Sequence, residues 1–176
     1  MCLDKQIFKL DDFILQPIRD EDKFSIMRWR NDQLYHLRQE KPLSVSDQED
    51  YFSTVVSNLF TKSQPNQILF SFDKDSEFIA YGGLVHIDWI TKSAEISFVM
   101  DTQLESSFFV DFWTSFLILM EEVAFDELNF NKIFTYAFDV RPLLYEALKI
   151  RNFKEELSFI NEDNKAVRVH SKIRKV

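Results

Sequence analysis

A chain of 176 residues fits one ordinary domain and can bury a substantial core. Its 45% apolar content, with 19 phenylalanines, excludes a disordered segment, and a net charge of −8 opposes nonspecific binding to nucleic acid or an anionic membrane. The one cysteine, Cys2, excludes an internal disulfide and a cysteine-built metal site, and the only glycines, Gly82 and Gly83, exclude the glycine-rich phosphate loops of P-loop and Rossmann proteins.

The first twenty residues lack the basic start and apolar stretch of a signal peptide, and no apolar run reaches membrane-spanning length, so a cytoplasmic chain is expected. Phe13–Ile18 (FILQPI) reads as a strand, ended by Pro17 and the charged turn Arg19-Asp20-Glu21-Asp22. Lys23–Gln33 follows as a helix behind that acidic turn, and Leu37–Leu43 as an irregular connection. A second helix starts at Ser44 or Ser46, where Ser46-Asp-Gln-Glu49 has the capping-box form, with Tyr51, Phe52, Val55, Val56 and Leu59 as its apolar face. Gln67–Phe72, Glu77–Ile90 and Ser93–Asp101 read as three strands, and Thr102–Asn129 as a long helix so apolar that it must be covered on most sides. Lys132–Val140 is a buried strand, Arg141–Arg151 a short helix with Pro142 near its start, and 153–160 with 166–176 a closing hairpin. This order predicts one domain over residues 1–176. The fold class is α/β (α+β), with a mixed, mostly antiparallel sheet of about seven strands and helices on both faces.

Several short stretches stand in a set order along the chain: Leu15-Gln-Pro-Ile-Arg19 with Asp22, Met27-Arg-Trp-Arg-Asn31, Tyr81-Gly-Gly-Leu84, Ala94-Glu-Ile-Ser-Phe-Val99, and Leu148–Phe153 with Lys154-Glu155. In that order and spacing the chain resembles the GNAT superfamily of acetyl-coenzyme A-dependent N-acetyltransferases, over nearly its whole length. The similarity is to a branch that includes acetyltransferases of ribosomal-protein N-termini and of amino-sugar nucleotides. The resemblance implies that two neighbouring strands part and hold the pantetheine arm of acetyl-CoA against the backbone of Phe98, Val99 and Met100. It places the diphosphate on the start of the following helix, at Ser106, Ser107 and Phe108, an ordinary site for an anion. The family writes that turn with glycines; here Gln103–Phe108 has none, and Asp101 and Glu105 add negative charge. Thr102-Gln-Leu-Glu105 also has the capping-box form, so a helix that caps itself is the other reading. The position of the family's tyrosine acid is Leu148, which leaves Tyr145, one turn earlier, as the candidate acid. Arg28, Arg30 and Arg38 fall in the segment that lines the acceptor side; they imply an acceptor bearing phosphate or carboxylate, or else a solvated face paired with Asp32 and Glu40.

Acetyl transfer needs a neutral amine, a base for its proton and a donor for the carbonyl oxygen. With Thr91-Lys92 as a hairpin tip, Asp88 faces Glu95 and His86 faces Ser97 on one side of the sheet, while Val85, Ile87, Trp89, Ala94, Ile96 and Phe98 face the core. Two facing carboxylates push one pKa upward, which makes Glu95 the first candidate base and His86 the second; a solvated sheet face is the alternative. Glu95 also matches the position of the family's catalytic glutamate. His36 and His170 are expected at the surface, and no metal-ligand spacing appears, so no metal is expected. The expected function is transfer of acetyl from acetyl-CoA to an amine of a small molecule, an amino sugar among them, or to a protein N-terminus. A catalytically degenerate binding module of the same fold is the alternative. No nucleic acid or membrane partner is expected, and the resemblance allows a homodimer through sheet edges or the last strands.

Overall fold

The computed structural model describes residues 2–175, in which eight strands form one sheet in the order β1-β2-β3-β4-β5-β6-β8-β7. They are β1 (Phe8–Leu10), β2 (Phe13–Pro17), β3 (Ile68–Lys74), β4 (Glu77–Asp88), β5 (Ser93–Met100), β6 (Lys132–Phe138), β7 (Lys154–Ile160) and β8 (Ala166–Ile173). The helices are α1 (Lys23–Asp32), α2 (Val45–Asp50), which runs through a π-turn at Tyr51–Val56 into α3 (Ser57–Leu59), then α4 (Thr102–Glu121) and α5 (Pro142–Ile150). The strand not foreseen is β1, whose three residues are too few to show alternation; it is held as a hairpin on β2 by pairs such as Phe8↔Leu15. The last strand ends at Ile173, short of the predicted end, and Val176 lies outside the described residues.

The sheet has a different core on each face. On one, Phe72, Leu84, Ile96, Phe98 and Met100 meet Phe112, Trp113, Phe116 and Met120 of α4 and Leu148 of α5. Burying each such side chain contributes roughly 1.5–3 kcal/mol, which explains why so apolar a helix folds here. On the other face, Leu69, Tyr81 and Val99 meet Ile26 and Trp29 of α1 and Phe52, Val56 and Leu59 of the next helical segment. Val55, expected on that apolar face, is exposed. The cap of α2 is Ser44 rather than Ser46: Ser44 accepts from Asp47 N, and the Asp47 carboxylate reaches back to Ser44 N at 2.8 Å. The aspartate closes the capping box in place of the expected glutamate.

The two glycines permit close approach of strands. A Cβ at Gly82 would stand 2.2 Å from Ser97 O, and one at Gly83 would stand 1.9 Å from Ile68 O. Both neighbours are backbone atoms of adjacent strands and cannot step aside.

The feature that positions the site is a break in the sheet. The crossover through α4 makes β5 and β6 parallel, but they pair only at Ser93↔Lys132, Ala94↔Ile133 and Glu95↔Phe134. Beyond that point β5 stays paired with β4 as far as Met100, and β6 stays paired with β8 as far as Phe138. Each strand keeps one full partner, and the two diverge from each other.

Candidate functional site

The divergence opens a cleft lined by Glu95, Ile96, Ser97 and Phe98 of β5, Thr135–Phe138 of β6, Trp113 of α4, Leu144 of α5, and His36, Leu37, Arg38 and Arg141 from loops. Which backbone groups face it follows from the pairing of β4 and β5. Asp101 N donates to Ile79 O at 2.8 Å, and antiparallel bonds recur at every second residue, so Val99, Ser97 and Glu95 bond to β4. The N–H and C=O of Ile96, Phe98 and Met100 therefore point across the gap. Of the three backbone positions expected to hold the cofactor arm, Phe98 and Met100 face the cleft and Val99 does not, because its backbone is committed to Tyr81. Met100 O already accepts from Gln33 Nε2 at 2.7 Å, and Gln33 is fully buried.

Glu95 stands where the strands part and is 5% exposed. Burial pushes its carboxyl above the ordinary carboxylate range, against the opposing pull of Arg38 and His86. Arg38 donates to Glu95 Oε1 while its guanidinium lies over the Tyr136 ring, and His86 Nε2 is 3.9 Å from Glu95 Oε2. His86 thus joins Glu95, as expected, but by another route. The tip is not a two-residue turn at Thr91-Lys92; the turn spans residues 89–92, and β4 carries a bulge between Val85 and Asp88, with His86 at φ 48°. The register is therefore Asp88↔Ser93 and Val85↔Glu95, with Ser97 opposite Gly83. Asp88 does not face Glu95. It caps the turn, accepting from Ile90 N and Thr91 N, and Val85 lies on the Glu95 side of the sheet instead of in the α4 core. The upward shift of Glu95 comes from burial and not from a second carboxylate.

The start of α4 differs from the expected anion site. The helix begins at Thr102, directly after β5, so the whole of Gln103–Phe108 is helical. Ser106, Ser107 and Phe108 are exposed, but their amides belong to the helix interior and are not free to bind a phosphate. Phe108 stacks on Phe112, with ring centroids 5.2 Å apart. The cap is Asp101, not Thr102: its carboxylate accepts from Gln103 N at 2.9 Å, filling the place of an anion. Glu105 does not reach back to close a box. It forms an ion pair with Arg141, whose guanidinium lies 4.4 Å from the centre of the Phe109 ring. Arg141 Nη1 is 2.9 Å from His36 Nε2, which is also 3.0 Å from Gln33 Oε1. Burial, and then the adjacent Arg141, push the His36 pKa down to about 3. The cleft edge thus fits the amide-bearing arm of acetyl-CoA, whereas the start of α4 does not fit its diphosphate in the glycine-turn manner.

Tyr145 is not in the cleft. Its hydroxyl donates to Asp139 at 2.8 Å and its ring stacks on His170, and burial, followed by that bond, raises its pKa well above the ordinary value. Leu148, at the family's acid position, is fully buried in the core. The three arginines do not converge. Arg28 is exposed on α1, Arg30 donates to Tyr81 Oη at 2.7 Å and to Gln39, and only Arg38 reaches the cleft, where it pairs with Glu95. His36 lines the cleft and His170 is 8% exposed, so neither is the surface histidine expected. Sequence reasoning missed His36 and Arg141 as cleft residues, and Gln33 as the buried residue that binds His36 and the Met100 carbonyl. A usable signal existed for Arg141, which lies just beyond the end of β6, the side towards which the strands part.

Residues 15–141 match the family described as acetyltransferase (GNAT) domain. None of the curated proteins compared matches the chain significantly in sequence. Among solved structures, the chain is similar to spermidine N-acetyltransferase from Vibrio cholerae in complex with CoA and spermine, with TM-score 0.79, 17% identity, and coverage of 93% of this chain and 96% of that one. A probable acetyltransferase aligns with TM-score 0.70 and 16% identity over 96% of this chain and 97% of its own. The dodecameric Vibrio cholerae spermidine N-acetyltransferase in an intermediate state gives TM-score 0.74 and 16% identity, covering 93% of this chain and 95% of that one. The parted strands, the sheet order and a family match spanning well over half of the sequence agree: this chain belongs to the GNAT family of acetyl-coenzyme A-dependent acetyltransferases.

Proposed function

We propose that this chain transfers acetyl from acetyl-CoA to the primary amine of a small cationic acceptor, with Glu95 taking the amine's proton. The observation that carries the reading is the buried, upward-shifted Glu95 at the point where β5 and β6 part. The cofactor, when bound, supplies the acetyl thioester. The free backbone groups of Ile96 and Phe98 would hold its arm, and Phe98, Leu144 and Ala137 exclude water around it. Arg38 steadies the Glu95 carboxylate, and the exposed ring of His86 passes the proton from Glu95 to solvent. Two observations support a cationic acceptor. The net charge of −8 attracts one, and Arg28, Arg30 and Arg38 build no clamp for a phosphate-bearing amino sugar. The spermine-bound relative of the same fold is in keeping with this choice. A homodimer through β7 suits the exposed Leu157 and Ile160 on that edge strand.

A silent binding module is the second reading, and the self-capped start of α4 is what favours it. Melting with and without acetyl-CoA separates the two. A cofactor at a hundredfold excess over its dissociation constant stabilises the fold by roughly 2.7 kcal/mol. Mass spectrometry of spermidine, an amino-terminal peptide and a phosphorylated amino sugar then reads the acceptor. One added acetyl on spermidine is expected; acetylation of the phosphosugar alone would overturn the acceptor class.

A further inference from the structure

Two buried donors in the cleft have nothing to donate to. Trp113 Nε1 and Thr135 Oγ1 find no hydrogen-bond partner among the described residues, and both side chains line the cleft. Trp113 is 4% exposed and Thr135 is 3% exposed. The other buried side-chain atoms in this condition, Trp29 Nε1, Thr114 Oγ1 and His170 Nδ1, belong to residues outside the cleft. A buried donor without an acceptor is costly, and native folds keep few of them.

The two donors come from different walls. Trp113 projects from α4, packed against Phe98 with ring centroids 4.8 Å apart. Thr135 is the first residue of β6 beyond its last pair with β5, Glu95↔Phe134, so it stands one residue past the Glu95 level. The cleft they line takes apolar walls from Ile96, Phe98, Leu144 and Ala137 and charged groups from Arg38, Glu95 and Arg141. Two donors between apolar walls suit an uncharged chain that carries acceptor oxygens. The cations of the cleft, Arg38 and Arg141, are already paired with Glu95 and Glu105, so they leave the two donors to an uncharged ligand.

We infer that Trp113 N–H and Thr135 O–H hold carbonyl oxygens of the acyl-pantetheine arm, with Thr135 serving the end nearest Glu95. This rests on the cofactor reading above. The two side chains bind the cofactor and take no proton.

The role carries a signature that a structural role would not. Thr135→Val removes an unpaired hydroxyl at nearly constant shape, so the free protein melts at or above the wild-type temperature. Its affinity for CoA and for pantetheine, measured by calorimetry, falls about tenfold, the loss expected of one hydrogen bond. Thr135→Ser restores most of that affinity, and Trp113→Phe weakens both ligands in the same way. Because pantetheine lacks the diphosphate, its response reads the arm alone. If wild-type protein takes up neither ligand, the cofactor reading falls and this inference with it. If wild type binds both and Thr135→Val binds them as tightly, this inference alone is overturned.

Discussion

At one end of the cleft Glu95 is buried beside a guanidinium that is partly open to water; at the other, Glu105 is spent on a guanidinium that is itself buried. The Arg38 side chain is 45% exposed and that of Arg141 is 11% exposed. An exposed arginine keeps its own hydration when it swings away, so the cost of releasing Arg38 falls on the buried Glu95 carboxylate, whose pKa burial already raises and which is neutralised by taking up a proton. A buried one cannot leave without stranding a charge, at a cost of about 3–5 kcal/mol. The same ion-pair chemistry therefore leaves one carboxylate available and fixes the other in place. It also shows why the helix start cannot be judged from its acids alone: the negative charge foreseen at Glu105 is already neutralised.

The contrast breaks most sharply at Glu95. Glu95→Gln is expected to lower turnover at neutral pH by about 10²–10⁴-fold with cofactor affinity unchanged, as steady-state kinetics and calorimetry would show. Burial raises the Glu95 pKa in the fold, so its ionised form is a burden at neutral pH and the variant should melt no lower than wild type. Undiminished turnover would remove Glu95 from the mechanism.

The opposite end carries the next largest effect. His36 takes up a proton only near pH 3 in the fold but near its ordinary value of 6.5 when unfolded. Between those values the unfolded chain binds more protons, so stability falls as pH falls, by up to about 5 kcal/mol in all and about 2 kcal/mol by pH 5. Denaturant unfolding at pH 7 and pH 5 measures the slope, and His36→Gln should flatten it. An unchanged slope in the variant would mean that the ring is not held neutral by Arg141 and burial.

The smallest effect sharpens the comparison. Glu105→Gln keeps an acceptor for Arg141 but removes the charge, freeing the guanidinium for a phosphate, and CoA affinity should tighten by about tenfold. Pantetheine affinity should not change. Equal or weaker CoA binding would place the diphosphate away from Arg141.

Much of this was legible in the chain. The apolar surface of α4, the alternation of β5 and the turn residues between elements are local patterns, since each follows from the period of a helix or strand. They sufficed to order the elements and to single out Glu95 and His86 together. What they did not carry was register and convergence. The bulge that moves Asp88 off Glu95 is a matter of how β4 pairs with β5, and a strand's face alone does not say which residue stands opposite.

The sequence by itself determined every element but β1, their order and the family, because periodicity, capping and turn chemistry act within a few residues. Only the tertiary structure decided that Asp101 caps α4, that Tyr145 turns to Asp139, and that Gln33, His36, Glu105 and Arg141 meet at one end of the cleft. Those outcomes depend on contacts between residues up to 105 positions apart, fixed when two halves of a sheet share three pairs and then separate.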